Sequence, residues 1–278
     1  MTAPAERALA HVRTLSTGGP ADPSWTVTLA FHPDRVDADG VTVVEALARD
    51  GRYRSQFETG TSNGGLTAHR GGDRWRWESR IFGGAYDSAP ASARPVYGGL
   101  DLDRSAYGAC PRFGSSFLRL APQASRRSTF CHPDSVFEPQ AFGVHDRVGS
   151  VSGVEHGHSD DPLDHYVEAH VHGGVRLDRD VDETVLDPSF AGTAVEDAAR
   201  RLGPPVRWTP GRVLGVDELR RHVAYRGPEP VALGLAVARY GRLDALVVGE
   251  AAASGEHDPQ TVKRLWHLVA RYGAAVHR

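Results

Sequence analysis

Polar and apolar residues alternate without a break from Tyr166 to His172. Tyr166, Glu168, His170 and His172 take one parity, and Val167, Ala169 and Val171 take the other. A strand sends successive side chains to opposite faces, so this stretch predicts a strand with one apolar face and one face of Tyr, Glu, His and His. The apolar face suits a core. The other gathers groups that transfer protons, bind metal or hold a ligand, and it reads equally as an exposed strand in a histidine-rich chain.

Other periodicities fill in the chain. Ala8, Leu9, Val12 and Leu15 share a helical face, which predicts a helix over residues 3–15. The β-branched and aromatic run at residues 25–31 predicts a strand. Residues 42–49 predict a helix, with Thr42 as cap and Glu45 three places on. Residues 52–58 alternate and predict a strand, and residues 73–82 a helix in which Trp75 and Trp77 pack. Strands are expected at 94–102, 114–120, 128–131 and 206–211. No element is expected from 138 to 163, and a short helix or turn is expected at 178–186. Helices are expected at 193–202, 217–225, 230–242 and 261–272. Strand-like content gives way to helical content near Gly192. The expected organisation is therefore a mixed α+β core over 1–192 and a mainly helical extension over 193–278, packed on that core.

Composition narrows the function classes. The chain has 278 residues, 40% hydrophobic and 24% charged, with a net charge of −3, which gives no footprint for nucleic acid. Lys263 is the only lysine, so nearly all the basic groups are arginine forks, suited to phosphates and carboxylates; biased codon usage explains the same count. Cys110 and Cys131 have no CxxC spacing, which excludes a cysteine-built zinc site and a disulfide framework and leaves room for one disulfide. No apolar run suits a signal peptide or a membrane span. The expectation is a cytoplasmic protein without membrane contact, with export as an effector left open. Nucleophile-elbow, Walker A and dinucleotide-fingerprint motifs are absent, which removes α/β-hydrolase, kinase-like and Rossmann readings.

Four segments carry a resemblance: YRSQFETGTSNGG from Tyr53, RPVYGGL from Arg94 with RFGSSFLRL from Arg112, RRSTFCHPDS from Arg126, and YVEAHVHGG from Tyr166. Together they resemble a bacterial domain family of unknown function, number thirty-six twenty-six, over residues 25–275. That family in turn resembles, more distantly, the arginine–serine–glutamate class of ADP-ribosyltransferases. The resemblance implies a split β-sheet core with flanking helices and NAD as substrate. It implies an arginine that holds NAD, a serine-bearing strand at the nicotinamide pocket and a glutamate at the nicotinamide ribose.

The residues suit that chemistry. An arginine fork binds pyrophosphate with charge-assisted hydrogen bonds. A carboxylate stabilises the positive charge that builds on the sugar as the nicotinamide–ribose bond breaks. The catalytic candidates are Glu168, Arg54, Tyr166 and His170. Arg54 is the choice for the pyrophosphate, with Arg52 and Arg35 as alternatives. The expected NAD-binding set is Arg54, Gln56, Thr59, Gly60, Ser62, Asn63, Gly64, Gly98, Ser115 and Ser116. The acceptor is left open among protein, small molecule and water. Tyr166 and residues 155–165 are expected to touch it.

Two alignments remain. Either Glu168 is the catalytic acid and Tyr166 fills the earlier slot, or Glu168 fills the earlier slot and His170 replaces the acid. The second describes an inactive NAD- or ADP-ribose-binding module. A third reading uses histidine: His145, His156, His158, His165, His170 and His172 crowd into 28 residues. His170 and His172 with an acid could hold zinc or another divalent ion for a hydrolase. A hydrogen-bonding pair fits the same spacing, and no metal is assigned.

Overall fold

The computed structural model describes residues 1–37, 39–60, 67–152 and 159–276. Its strands, in chain order, are β1 Thr26–Phe31, β2 Arg52–Tyr53, β3 Val96–Asp101, β4 Ser116–Leu120, β5 Ser128–His132 and β6 Ala141–Val144. They continue as β7 Val167–Val171, β8 Val175–Arg176, β9 Val181–Leu186, β10 Val206–Trp208, β11 Leu214–Gly215 and β12 Arg242–Leu243. The chain mixes these with helices, and the pairing is mostly antiparallel. No helix among the described residues is long and apolar enough to cross a membrane.

Two compact units divide the chain. The first comprises Met1–Leu29, Asp50–Cys110 and Leu118–Asp182. Its sheet runs β1-β3-β7-β5-β6, with β2 and β8 forming a separate two-stranded ribbon. Register places Gly99 and Cys131 on either side of Glu168, and Tyr97 and Thr129 on either side of His170. Gly98 and Gly99 are there for closeness. A Cβ on Gly98 would lie 2.4 Å from the Thr28 carbonyl oxygen, and one on Gly99 would lie 2.3 Å from Cys110 Sγ. The helix Ala3–Leu15 buries Ala5, Ala8 and Val12, the stripe its spacing predicts. The helix Asp73–Ile81 buries Arg74, Trp77, Glu78 and Ile81, so two charges enter the core on its inner face.

The second unit comprises Ala30–Arg49, Pro111–Phe117 and Glu183–Arg278. It holds the parallel pair β9–β10, the ribbon β11–β12 and the helices Val43–Asp50, Pro228–Val237, Ala245–Ala253 and Pro259–Tyr272. Thr42 caps the first of these as expected: its hydroxyl and Glu45 exchange hydrogen bonds.

Several sequence expectations fail for local reasons. Residues 52–58 do not form one strand. β2 stops at Tyr53 because Ser55 and Glu58 form a capping box that starts the single turn Gln56–Thr59. Residues 141–144, expected to be irregular, pair with β5. Residues 181–186, expected as helix or turn, are β-branched enough to form β9 beside β10. The helix expected over 230–242 ends at Val237, before Tyr240 and Gly241 turn at positive φ into β12. The helix Ala245–Ala253, with Asp244 as its cap, was not anticipated.

Candidate functional site

All five residues of β7 are buried, so the Glu/His face is neither solvated nor open. Its covering includes Trp77 and Phe82, whose ring centroids lie 5.1 and 5.4 Å from that of His170. Phe82 also packs on His172 at 5.2 Å.

Glu168 is 5% exposed and fully engaged. Its Oε1 accepts from His170 Nε2 at 2.9 Å, and its Oε2 accepts from the Ser135 hydroxyl at 3.0 Å. Arg74 Nη1 lies 3.7 Å from Oε1 and donates to Ser135 Oγ at 2.7 Å, so the serine bridges guanidinium and carboxylate. Burial on its own would raise the carboxyl; the His170 hydrogen bond and the Arg74 charge outweigh it and hold Glu168 below the usual range. The site therefore contains an ionised carboxylate out of contact with bulk water.

A second ion pair adjoins it. Arg94 donates to Glu78 at 2.5 Å and to the Tyr86 carbonyl at 2.9 Å. Tyr97 donates to Glu78 Oε1 at 2.9 Å, and the Arg74 guanidinium sits 4.2 Å above the Tyr97 ring. Burial pushes Glu78 up to about 7 despite these partners.

Cys131 Sγ, Glu168 and His170 offer ligand atoms within 4.8 Å of one another. The Arg74 guanidinium beside the same carboxylate oxygen repels a cation there. His170 and His172 do not converge on an ion position either, because the Thr129 hydroxyl stands between them at 2.9 and 3.0 Å. The hydrogen-bonding reading of the pair is the one the geometry favours.

The remaining candidates scatter. Tyr166 is buried and its hydroxyl donates to Asp134. Arg54 is off any strand and pairs with Asp50, Nε to Oδ2 at 2.6 Å; no described contact joins it to Glu168. Gln56, Thr59 and Gly60 belong to the turn that follows, with Gly60 its left-handed cap. Ser62, Asn63 and Gly64 lie outside the described residues, as do His156 and His158. Gly98 serves strand packing. Ser115 and Ser116 belong to the second unit, where Ser116 Oγ accepts from the Asp187 N–H at 3.2 Å. A cleft of about 380 Å³ in the first unit is lined by Arg52, Arg94, Arg176 and Arg179. Each of these already has a carboxylate partner, in Glu58, Glu78, Asp178 and Asp180 respectively.

Sequence reasoning missed Arg74, Glu78, Tyr86, Tyr97, Thr129 and Ser135. The signal for the first two was present. Arg74, Trp77, Glu78 and Ile81 fall at helical spacing, so charges sit on the stripe that carries the apolar anchors.

The chain belongs to the family described as protein of unknown function (DUF3626), whose model matches residues 26–154 and 148–272. No curated protein matches it.

Proposed function

We propose that this member of the family cleaves the nicotinamide–ribose bond of NAD and passes ADP-ribose to an acceptor or to water, on an ADP-ribosyltransferase-like core. The observation that carries the reading is convergence on Glu168. Ser135 of RRSTFCHPDS bonds the carboxylate of Glu168 in YVEAHVHGG directly, while Tyr97 of RPVYGGL and Thr129 meet at His170, the residue that donates to that carboxylate, from segments up to 71 positions apart. These are the segments on which the resemblance rests.

In this reading the C1′–nitrogen bond breaks and nicotinamide leaves with the electron pair. Glu168 faces the cationic sugar, and its charge counts for more because the surroundings exclude water. An acceptor oxygen or nitrogen then bonds to C1′, and its proton passes to the carboxylate or to solvent. Ser135 and Arg74 hold the carboxylate in place before substrate arrives. Because Glu168 is 5% exposed, substrate has to displace the Ser135 hydroxyl to reach it. The pyrophosphate falls to an arginine outside the cluster, and Arg54, about a third exposed, is the one the resemblance nominates.

The test is product analysis with NAD labelled in both halves. The purified chain is expected to release nicotinamide, with the adenine label in free ADP-ribose or on an added nucleophile or protein. Nicotinamide at the level of the protein-free control refutes the reading. NAD binding without release leaves a binding module.

A further inference from the structure

Glu168 is the end of an unbroken line of side-chain hydrogen bonds. Its Oε1 lies 2.9 Å from His170 Nε2, and His170 Nδ1 lies 2.9 Å from Thr129 Oγ1. Thr129 Oγ1 lies 3.0 Å from His172 Nε2, and His172 Nδ1 lies 2.7 Å from Tyr86 Oη. All five residues are buried.

The far end dictates the polarity. Burial holds the Tyr86 phenol far above its ordinary range, so the phenol keeps its proton and has to donate it. The acceptor is His172 Nδ1. Burial, with the Arg127 guanidinium nearby, holds His172 well below its ordinary range, so its ring is neutral. With Nδ1 accepting, its one proton sits on Nε2 and goes to Thr129. The Thr129 proton is then directed at His170 Nδ1. His170 in turn carries its proton on Nε2 and donates it to Glu168. Every donor in the line points toward the carboxylate.

We propose that Tyr86, His172 and Thr129 are positioning residues that lock His170 as the neutral Nε2–H tautomer, leaving Glu168 its full negative charge. The inference rests on the reading of Glu168 as the group that faces the sugar. A cationic His170 would neutralise that carboxylate. It would also turn the line around and leave the buried Tyr86 proton without its acceptor. Among the described residues, the other groups facing this line include Arg74 and Glu78 on the helix Asp73–Ile81, Tyr97 on β3, Cys131 on β5, Ser135 on its turn, Arg127 beside His172, and Arg94 and Arg7 near Tyr86. Tyr166 and Cys110 lie in the field of the same carboxylate, and Asp134 acts on both.

The test is nitrogen-15 NMR of the two imidazoles in the full chain at pH 7, on wild type, Thr129→Val and Thr129→Ser, with nicotinamide release measured alongside. In wild type both rings carry their proton on Nε2 and none on Nδ1. In Thr129→Val, with no hydroxyl to donate to Nδ1, the His170 proton is shared between the two nitrogens, and kcat falls with KM unchanged. Thr129→Ser restores the wild-type pattern. A wild-type His170 protonated at Nδ1 at pH 7 overturns the proposal, even if the valine variant fails to fold. If the tautomers are as stated and no nicotinamide is released, the lock stands and the NAD reading falls. If nicotinamide is released with the opposite tautomer, the lock alone falls.

Discussion

Arg74→Met removes the cation beside Glu168 while keeping most of the side-chain volume. Wild-type Arg74 is 2% exposed, and its Nη1 is 3.7 Å from Glu168 Oε1. At an effective dielectric near 20 that separation corresponds to about 4–5 kcal/mol. Removing one partner of a buried pair typically costs roughly 3–5 kcal/mol, so the two figures agree. The cost depends on pH with a definite sign. In wild type the folded-state Glu168 carboxyl is held below its unfolded value. Its contribution to stability is present above the unfolded pKa and is lost as pH falls through the folded one. Without Arg74, burial dominates and the carboxyl rises. The variant then bears the full penalty at pH 8 and escapes part of it at pH 5, where protonation relieves the stranded charge. For a chain of this size the expected loss at pH 8 is roughly 10 °C in Tm, and distinctly less at pH 5. Thermal unfolding followed by circular dichroism at both pH values measures it. Arg76→Met is the control, because Arg76 pairs with Asp73 on the exposed side of the same helix. An equal loss at the two pH values, or one no larger than the control, refutes the electrostatic account of this cluster.

Asp34, in the second unit, has the opposite sign. Burial pushes it up to about 7, so its ionisation opposes folding increasingly from about pH 4 to 7 and fully above. Asp34→Asn is expected to gain about 1–2 kcal/mol at pH 8 and little at pH 5, discounted because the residue is partly exposed. Urea unfolding at the two pH values checks it. Cys110 and Cys131 are buried free thiols, held far above their usual range by burial and by the Glu168 and Asp134 charges. Neither is expected to react with a thiol reagent in native buffer at pH 8, and both should react in denaturant; fast native labelling contradicts the packing described for β5.

Elements with one dominant signal were legible in the sequence. The helix Ala3–Leu15 announces itself by spacing, and the cap at Thr42 by chemistry. β7 follows from strict alternation. Its polar parity suggested an exposed or catalytic surface, yet the structure buries both faces. Alternation reports which residues share a face and is silent on what covers it. The cover comes from a helix some ninety positions earlier, where Arg74 and Glu78 supply countercharges that make burial of Glu168 and Arg94 tolerable. Such pairing is non-local and leaves no periodic trace. The strand expected at 52–58 failed because the Ser55–Glu58 box outweighed a weak alternation. Arg54 was chosen from resemblance to a first-strand arginine. Arg54 lies one residue beyond the shortened β2, and the guanidinium found beside Glu168 belongs to Arg74.

The most direct test of the central claim compares nicotinamide release by wild type and Glu168→Gln, at saturating NAD and with matched far-ultraviolet spectra. The amide keeps the shape of the side chain and removes its charge. The account predicts that wild type releases nicotinamide and that the variant is slower by at least about 100-fold, as expected when a preorganised charge is taken from a developing cation. Equal rates in the two proteins contradict it.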